Sequence, residues 1–350
     1  MLCATTAFEA TLSSSQLAAL QTYSDGSSNC TKSSYTNNIL KTYWSNLPGD
    51  CRTGLARSSL STAQATAYNT LASIALSASG YNDWQGILAA DDYLGTIQSG
   101  YGSSYAHIAV IGSPSAATDT WTLMLGNHHM AFNINFVNGT AFPFPHHVGV
   151  EPKASFTVNG ATWQVLADKA AAMVAIFYGN TNSLSSTQLS TSYLTGETFG
   201  DVLVGPGLEK TTGSYSTVMP KFPTGGSQGS TGYRGVNVSS LSSAQQAVVK
   251  AAIQLWTDDY GTTTGTTLYN DYTSDTALAS TYVAWAGSGS YPNVDTTNTY
   301  MRIDGPRVWI EIACQGGIVI QGKTHYHMIY RDKKYDYGDR LGYTTDFSGS

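Results

Sequence analysis

The chain has 350 residues, of which 41% are hydrophobic and only 11% are charged, and its formal net charge is −6. The apolar fraction is enough for a core, yet no window approaches the roughly 18 consecutive apolar residues of a membrane span. The 17 Lys and Arg residues form no cluster, which argues against a nucleic-acid partner. No linker divides the chain, so we expect residues 1–350 to form a single domain.

The composition is typical of a secreted protein. Ser and Thr make up roughly a quarter of the chain, so hydroxyls rather than ions solvate much of its surface. The opening residues lack a basic region and a long apolar core, which favours a mature extracellular protein whose signal peptide has been removed. Cys30 and Cys51 flank a polar loop and are candidates for a disulfide bond. Cys314 lies in an apolar run and is expected to be a buried thiol, unless Cys3 reaches it.

The first hundred residues predict mainly helices. A serine precedes an apolar spacing in SSSQLAALQTY, which is typical of a helix start. A long helix is predicted over residues 58–80, with Leu60, Ala63, Leu71 and Ile74 among its apolar face and Gly80 at its end. A further helical stretch follows at residues 81–97, interrupted by glycine.

Short β-type runs separated by Gly, Pro and Asn follow between residues 105 and 150. The Asn138-Gly139 pair between two of these runs predicts a β-hairpin. Residues 165–178 return to a helical pattern. A polar, Gly-rich stretch at about 184–240 predicts a long loop.

The last third predicts two helices and then strands. The helices are expected at residues 239–261 and 275–287, and the strands at 299–305, 307–315 and 324–332. No internal repeat is apparent. Because each set of strands alone is small, we expect the strands near 105–150 and 298–331 to share one sheet. The predicted fold class is α+β, with a helical N-terminal region and helices packed on an antiparallel sheet.

Six of the seven histidines occur in pairs, and two pairs stand in strand-like runs. His325 and His327 in THYHMIYRD alternate with other residues, so both side chains point to one face of a strand. In HHMAFNINF, His128 lies on the same side as an apolar stripe that continues through Met130 and Phe132, while His129 lies on the opposite, polar face. We therefore expect His129 to join His325 and His327 at a metal ion, with His128 as an additional or alternative ligand.

Other polar residues are weaker candidates. Glu311 lies in an apolar strand, where an unpaired carboxylate is costly, so a metal, a histidine or an arginine is its expected partner. His146 and His147 follow two prolines in a turn-prone stretch, and they are either surface residues or a second set of ligands. Arg331 and Asp332 are expected to form a local ion pair at the end of their strand.

Together, the motifs GNHHMAFNINF, YMRIDGPRVWIEIACQ and HYHMIYRDKKYDYG resemble the domain-of-unknown-function family numbered 3500. The resemblance covers nearly the whole chain, and its closing motif is the most specific part. It implies roles for the matching positions, namely His128, His129, Asn133, Arg302, Gly305, Pro306, Glu311, His325, His327, Arg331, Asp332, Asp336 and Gly338. The family implies no particular reaction.

The leading hypothesis is a secreted metalloenzyme that acts on a small-molecule or polymeric extracellular substrate. Its catalytic candidates are Glu311 and Asn133. Three imidazole ligands suit copper, zinc or iron, and we favour copper with an oxidative reaction because 23 Tyr and 7 Trp can carry oxidising equivalents. One alternative is a zinc hydrolase in which Glu311 is the general base. Another is a non-catalytic protein that binds metal or carbohydrate.

Overall fold

The computed structural model describes residues 1–21, 23–24, 43–50, 52–205, 208–211, 214–217 and 222–339. The disulfide predicted between Cys30 and Cys51 lies outside the described residues. Cys3 is an exposed free thiol and Cys314 a buried one, which confirms the prediction of a buried thiol at Cys314.

Within these ranges the chain forms nine α-helices, and serine side chains cap most of them. Ser13, Ser61, Ser77, Ser185 and Ser242 each accept a hydrogen bond from a backbone amide of the first helical turn. The helices are α1 (Leu2–Glu9), α2 (Ser14–Ala19), α3 (Thr62–Ala75), α4 (Ala78–Gly95), α5 (Ala167–Phe177), α6 (Ser186–Ser192), α7 (Ser243–Thr257), α8 (Thr262–Thr273) and α9 (Asp275–Leu278).

Ten strands follow one another across a large antiparallel sheet in the order β13-β14-β15-β16-β17-β8-β6-β5-β4-β3, and β7 pairs with β6 at its side. These strands are β3 (Leu55–Ala56), β4 (His107–Ile111), β5 (Trp121–Asn127), β6 (Met130–Val137), β7 (Thr140–Phe142), β8 (His146–Val150), β13 (Val236–Asn237), β14 (Tyr282–Ala286), β15 (Tyr300–Asp304), β16 (Val308–Gly316) and β17 (Thr324–Asp332). Three small two-stranded sheets pair β1 (Tyr23–Ser24) with β2 (Arg52–Thr53), β9 (Phe156–Val158) with β10 (Ala161–Trp163), and β11 (Leu208–Thr211) with β12 (Ser214–Thr217). The α+β class, the shared sheet and the Asn138-Gly139 hairpin are confirmed.

The two faces of the sheet are covered differently. The helices pack on one face, the helix face, where Met130, Phe132 and Met328 join the main core. The opposite face, the loop face, is covered by irregular segments that contribute Trp44, Val204 and other residues. Since side chains alternate along a strand, Ala131 between Met130 and Phe132 belongs to the loop face. The apolar stripe predicted for β6 is therefore confirmed.

The two sides of the sheet have the same strand order when each is followed from the centre to its edge. This symmetry reveals two similar halves of the chain. Strands β3, β4, β5, β6 and β8 of the first half are matched by β13, β14, β15, β16 and β17 of the second. In both halves two helices precede the edge strand and a short 3-10 helix follows it, and then come two helices in the first half and three in the second. The sequence carries the same repeat, since LSSSQL and SSLSTAQ at 12–17 and 58–64 correspond to LSSTQL and SSLSSAQ at 184–189 and 239–245. The expectation of no internal repeat is wrong.

The predicted helix over residues 58–80 is shorter in the structure, because Ser77 caps a new helix there. Helix α3 ends at Ala75, and Gly80 lies inside α4, where a Cβ atom would come 2.2 Å from the backbone oxygen of Asp259. Gly80 therefore allows a close backbone contact instead of ending a helix. Ile74 of the predicted apolar face is 52% exposed.

The predictions for the last third were partly wrong. Only Asp275–Leu278 of the predicted second helix is helical, and Tyr282–Ala286 is strand β14. This apolar run is too short to distinguish a helix from a buried strand by its pattern. Helix α8 was missed because it is rich in threonine, and α6 lies within the stretch predicted as a loop. No described helix is long and apolar enough to span a bilayer.

Candidate metal centre

The first histidine pair forms the turn of the β5–β6 hairpin. Asn127 pairs with Met130, which leaves His128 and His129 as the two turn residues, and His129 has a positive φ of 60°. Such a conformation is uncommon outside glycine, although histidine adopts it more readily than most residues. The turn places the His129 side chain over the loop face. Because His129 lies outside both strands, their alternation does not fix the direction of this side chain.

The His129 ring lies directly on Gly149 of strand β8. A Cβ atom on Gly149 would lie 3.1 Å and 3.2 Å from two carbons of this ring. The backbone carbonyl of His129 accepts a hydrogen bond from the Gly149 amide at 2.7 Å, and its own amide donates to the Asn46 carbonyl at 3.1 Å. The absence of a side chain at Gly149 therefore leaves the space that the imidazole occupies.

His325 and His327 approach His129 from the neighbouring strand β17. His327 lies opposite Gly149 in the register of β17 and β8. The His129 ring centre is 5.2 Å from that of His325 and 5.0 Å from that of His327. One ring nitrogen of each of the three histidines lies within 4.8 Å of the other two, so the three can hold a metal ion. The predicted convergence of these imidazoles is confirmed.

A carboxylate orients His327. Its Nδ1 lies 2.8 Å from Oδ1 of Asp201, and its Nε2 faces Nε2 of His325 at 3.3 Å. Because an ionised carboxylate only accepts hydrogen bonds, Nδ1 carries a proton, and in the neutral imidazole Nε2 keeps the lone pair. Burial opposes ionisation of Asp201, but His327, His147 and the Val202 amide together outweigh it and lower the pKa of this carboxyl.

Burial also keeps two of the three imidazoles neutral. It lowers the pKa of His325 to about 3 and that of His129 to well below its usual value, with a further contribution from the neighbouring imidazoles. Only the neutral form of histidine binds a metal ion. His129 and His325 are therefore in their metal-binding form at neutral and mildly acidic pH.

His128 is a neighbour of this group and not a member of it. Its ring stacks on that of His129 at 3.8 Å, and its Nδ1 lies 2.7 Å from Oδ1 of the buried Asp91. Asp91 is held in turn by the Gly102 amide at 2.9 Å and the Asn127 side chain at 3.1 Å. A second carboxylate–histidine pair thus stands beside the three converging nitrogens.

Glu311 and Asn133, the predicted catalytic residues, lie outside the group. The carboxylate of Glu311 accepts hydrogen bonds from the amides of Leu203 and Val204 and from the side chains of Tyr300 and Trp309, at 2.7–3.0 Å. The partners of this buried carboxylate are thus backbone amides and aromatic side chains, and not the histidine or arginine that was expected. The side chain of Asn133 donates to the Pro145 carbonyl at 2.9 Å and so holds the segment before β8.

His146 and His147 are fully buried in strand β8, so the surface alternative is wrong. They point to opposite faces of the sheet. His146 contacts Trp256 on the helix face, whereas the His147 ring lies 5.6 Å from that of His327 on the loop face. Neither ring nitrogen of His147 has a hydrogen-bond partner within the described residues.

An aromatic path leads away from the three histidines through His147. The Trp44 ring is 5.3 Å from that of His147, and Trp44 Nε1 donates to the Tyr337 hydroxyl at 3.1 Å. Both aromatic residues are buried. The path continues to Arg331, whose Nη2 lies 3.4 Å from the same hydroxyl.

The ion pair predicted between Arg331 and Asp332 is wrong. Arg331 pairs with Asp336 at 2.6 Å, and Asp332 pairs with Arg307 at 2.6 Å. Neighbouring residues of a strand point to opposite faces, so Arg331 and Asp332 diverge. Arg331 lies on the same face as His327, two strand positions from Ile329.

Sequence reasoning missed Asp91 and Asp201, the carboxylates that orient the histidines. For Asp91 a signal existed, since Ile87, Asp91 and Leu94 share one face of helix α4 and a carboxylate there must be buried. Asp201 lies 126 residues from His327 in an irregular segment, and nothing in its local sequence marks it.

A family model described as a protein of unknown function (DUF3500) matches residues 1–339. No curated protein and no solved structure matches the chain. The match confirms the resemblance seen in the motifs over nearly the whole chain.

Proposed function

The chain belongs to the DUF3500 family, and we propose that it is a metal-dependent oxidoreductase that binds copper through His129, His325 and His327. The observation that carries the proposal is the convergence of three buried ring nitrogens within 4.8 Å of one another. Three imidazoles leave at least one coordination position of the ion for a substrate or water, which is the arrangement of catalytic sites.

Two features support copper and redox chemistry. The donor set consists of neutral imidazoles, and among the divalent ions copper binds such nitrogen ligands most tightly. The path from His327 through His147 and Trp44 to Tyr337 offers aromatic groups that can carry an oxidising equivalent away from the ion. We propose that the substrate is a small or polymeric extracellular molecule and that the protein is secreted, which its low charge and hydroxyl-rich composition favour.

Zinc is the second candidate, and one distance favours it. The Nε2 atoms of His325 and His327 are 3.3 Å apart. Two ligands of a tetrahedral site with metal–nitrogen bonds of about 2.05 Å are separated by about 3.3 Å. A hydrolase would need a base near the bound water, and Glu311 is held by four donors elsewhere. The zinc alternative therefore lacks the general base predicted for it.

The metal content of the protein, purified without a histidine tag, tests the proposal. We expect about one equivalent of metal per chain by elemental analysis, and a Cu²⁺ signal by electron paramagnetic resonance. The double variant His325→Ala/His327→Ala should lose the metal, since one ring cannot hold it. His146→Phe is the matched control, because His146 is equally buried but lies on the helix face among aromatic rings.

Two results contradict the proposal. A folded parent protein that takes up no transition metal, or a double variant that keeps it, rules out the three-histidine site. A diamagnetic protein containing only zinc after exposure to both ions rules out the copper assignment and supports the second candidate.

A further inference from the structure

We infer that Glu311 is a positioning residue of the metal site, which acts through the segment 199–205 by holding Asp201 against His327. We call this segment the strap. The inference rests on the proposed function, because it assigns a role in binding the same ion. It replaces the predicted role of Glu311 as a ligand or base.

The carboxylate of Glu311 accepts hydrogen bonds from two consecutive backbone amides of the strap. Oε2 accepts from Leu203 at 2.7 Å, and Oε1 accepts from Val204 at 3.0 Å. On the side of the sheet, Tyr300 and Trp309 donate hydrogen bonds to the same two oxygens, each with a length of 2.8 Å. Each oxygen therefore joins one donor of the sheet to one donor of the strap, and the carboxylate is completely buried between them.

The strap is fixed at both of its ends as well. Phe199 stacks on Tyr300 with ring centres 3.9 Å apart and an angle of 11° between the planes. At the other end the Gly205 carbonyl accepts a hydrogen bond from Arg331 at 2.8 Å. These anchors stand on strands β15 and β17, on either side of the strand that carries Glu311.

Asp201 is placed by the strap and not by its own packing. Its side chain is 48% exposed, and its Oδ1 accepts from His327 and from the Val202 amide. Glu311 holds Leu203 and Val204, which follow Asp201 by two and three residues. A mobile strap would let this exposed carboxylate leave His327, and the imidazole would lose the partner that fixes its proton on Nδ1.

The register of the sheet explains why Glu311 can serve this purpose. Glu311 lies opposite Ile329, and the next position on the same face pairs Ala313 with His327. Glu311 and the proposed ligand His327 are therefore neighbours on the loop face. When Glu311 holds the strap, Asp201 of the strap lies beside Nδ1 of His327.

The test measures the affinity for Cu²⁺ and for Zn²⁺, each alone, by competition with a chelator. Loss of an outer partner of a ligating histidine weakens metal binding by about 10- to 100-fold. We expect losses in this range for Asp201→Ala and for Glu311→Gln. Because both act on the same contact, the double variant should bind as weakly as the weaker single variant and no more weakly.

Two further variants separate positioning from general stability. Tyr272→Phe is the control and should keep the parent affinity, because it removes an equally buried hydrogen bond from a tyrosine to a carboxylate, the one from Tyr272 to Asp332 at 2.8 Å on the helix face. Phe199→Ala loosens the strap without touching Glu311, and it provides the test if Glu311→Gln does not fold. In the folded metal-free variants, ¹⁵N resonances of His327 should show that the proton is no longer confined to Nδ1.

The results distinguish a failure of this inference from a failure of the proposed function. If the parent binds no metal, the site itself is refuted. If the parent binds metal but Glu311→Gln and Phe199→Ala keep its affinity, the inference is wrong. Additive losses in the Asp201→Ala/Glu311→Gln double variant would likewise overturn it, since Glu311 would then act independently of Asp201.

Discussion

At the scale of single residues, the site depends on a glycine as much as on its histidines. His129 can lie on strand β8 because Gly149 has no side chain, and its ring carbons stand 3.1 Å and 3.2 Å from where a Cβ atom would be. Protein interiors are closely packed, so the His129 ring has little space to move away from an added Cβ atom at position 149. Gly149 thus selects the direction from which His129 reaches His325 and His327.

Gly149→Ala should therefore displace the His129 ring and weaken metal binding by about tenfold or more, comparable to the loss of an outer partner of a ligand. The new methyl group would also stand 2.6 Å from the Tyr326 carbonyl, so a lower melting temperature is expected. Gly261→Ala is the control, because its Cβ meets no atom within 4 Å. Unchanged metal affinity in a folded Gly149→Ala protein would show that Gly149 does not set the position of the His129 ring.

On the helix face, a buried network of charges makes the stability depend on pH. Lys169 lies 2.6 Å from Asp83 and 2.9 Å from Asp259, so two carboxylates share one ammonium group. Burial raises the pKa of Asp259 to about 7, the charge of Asp83 adds to it, and Lys169 opposes it. In the unfolded chain the carboxyl titrates near its usual pKa of about 3.9.

Between about pH 4 and pH 7 this carboxyl binds more protons in the folded protein than in the unfolded chain, so Asp259 makes the free energy of unfolding fall as the pH rises. The buried histidines with lowered pKa contribute the opposite slope in this window. Asp259→Asn cannot ionise, so its free energy of unfolding should change with pH more positively than that of the parent. Urea denaturation of chelator-treated parent and variant across the window measures it. Equal slopes in the two proteins would mean that Asp259 does not contribute to the pH dependence.

At the scale of secondary-structure elements, the helix starts of each half are joined in pairs. In both halves, two S-x-x-Q capping boxes face each other, and their glutamines share hydrogen bonds. Gln16 bonds to Gln64 at 3.1 Å, and Gln245 donates to Gln188 at 2.7 Å. A residue that caps one helix therefore also links it to a second one.

Gln245→Ala should lower the free energy of unfolding by about 1–2 kcal/mol, because it removes a capping interaction and the bond to Gln188. It also removes the hydrogen bond that Gln245 donates to the Ser183 carbonyl at 3.1 Å. Gln254→Ala is the matched control on the same helix α7, where the side chain is exposed. Equal stability of the two variants would show that the paired caps contribute nothing.

The sequence patterns identified the elements better than their ends. Strands β15, β16 and β17 and the Asn138-Gly139 turn carry strong local signals, and they were predicted. The strand at Tyr282–Ala286 was mistaken for a helix because five apolar residues suit either structure. The histidine faces followed from strand alternation, but Asp201 and the partners of Glu311 depend on the path of the strap, which no local pattern records.

At the scale of the whole molecule, the proposed metal site lies at the junction of the two similar halves. Strands β8 and β17 meet at the centre of the sheet, where His129 comes from the first half and His325 and His327 from the second. Neither half holds all three histidines. The repeat therefore brings the two sets of histidines together, although it is weak enough in sequence to escape notice outside the serine-rich helix starts.

Fragments 1–164 and 165–350, co-expressed with a tag on one of them, should copurify and bind metal as the intact chain does. Each fragment alone exposes its central strand as an edge and lacks part of the ligand set, so it should bind metal weakly and aggregate. Metal content after copurification measures the outcome. Metal binding by fragment 165–350 alone, at the affinity of the intact chain, would contradict the shared site.

The central claim is that one metal ion is bound by imidazoles from both halves. X-ray absorption at the metal edge of the loaded protein tests this claim most directly. We expect scattering from three imidazole rings with metal–nitrogen distances of about 2.0–2.1 Å, and from two rings after His129→Ala. A spectrum dominated by oxygen or sulfur ligands, or one unchanged by His129→Ala, would contradict the account.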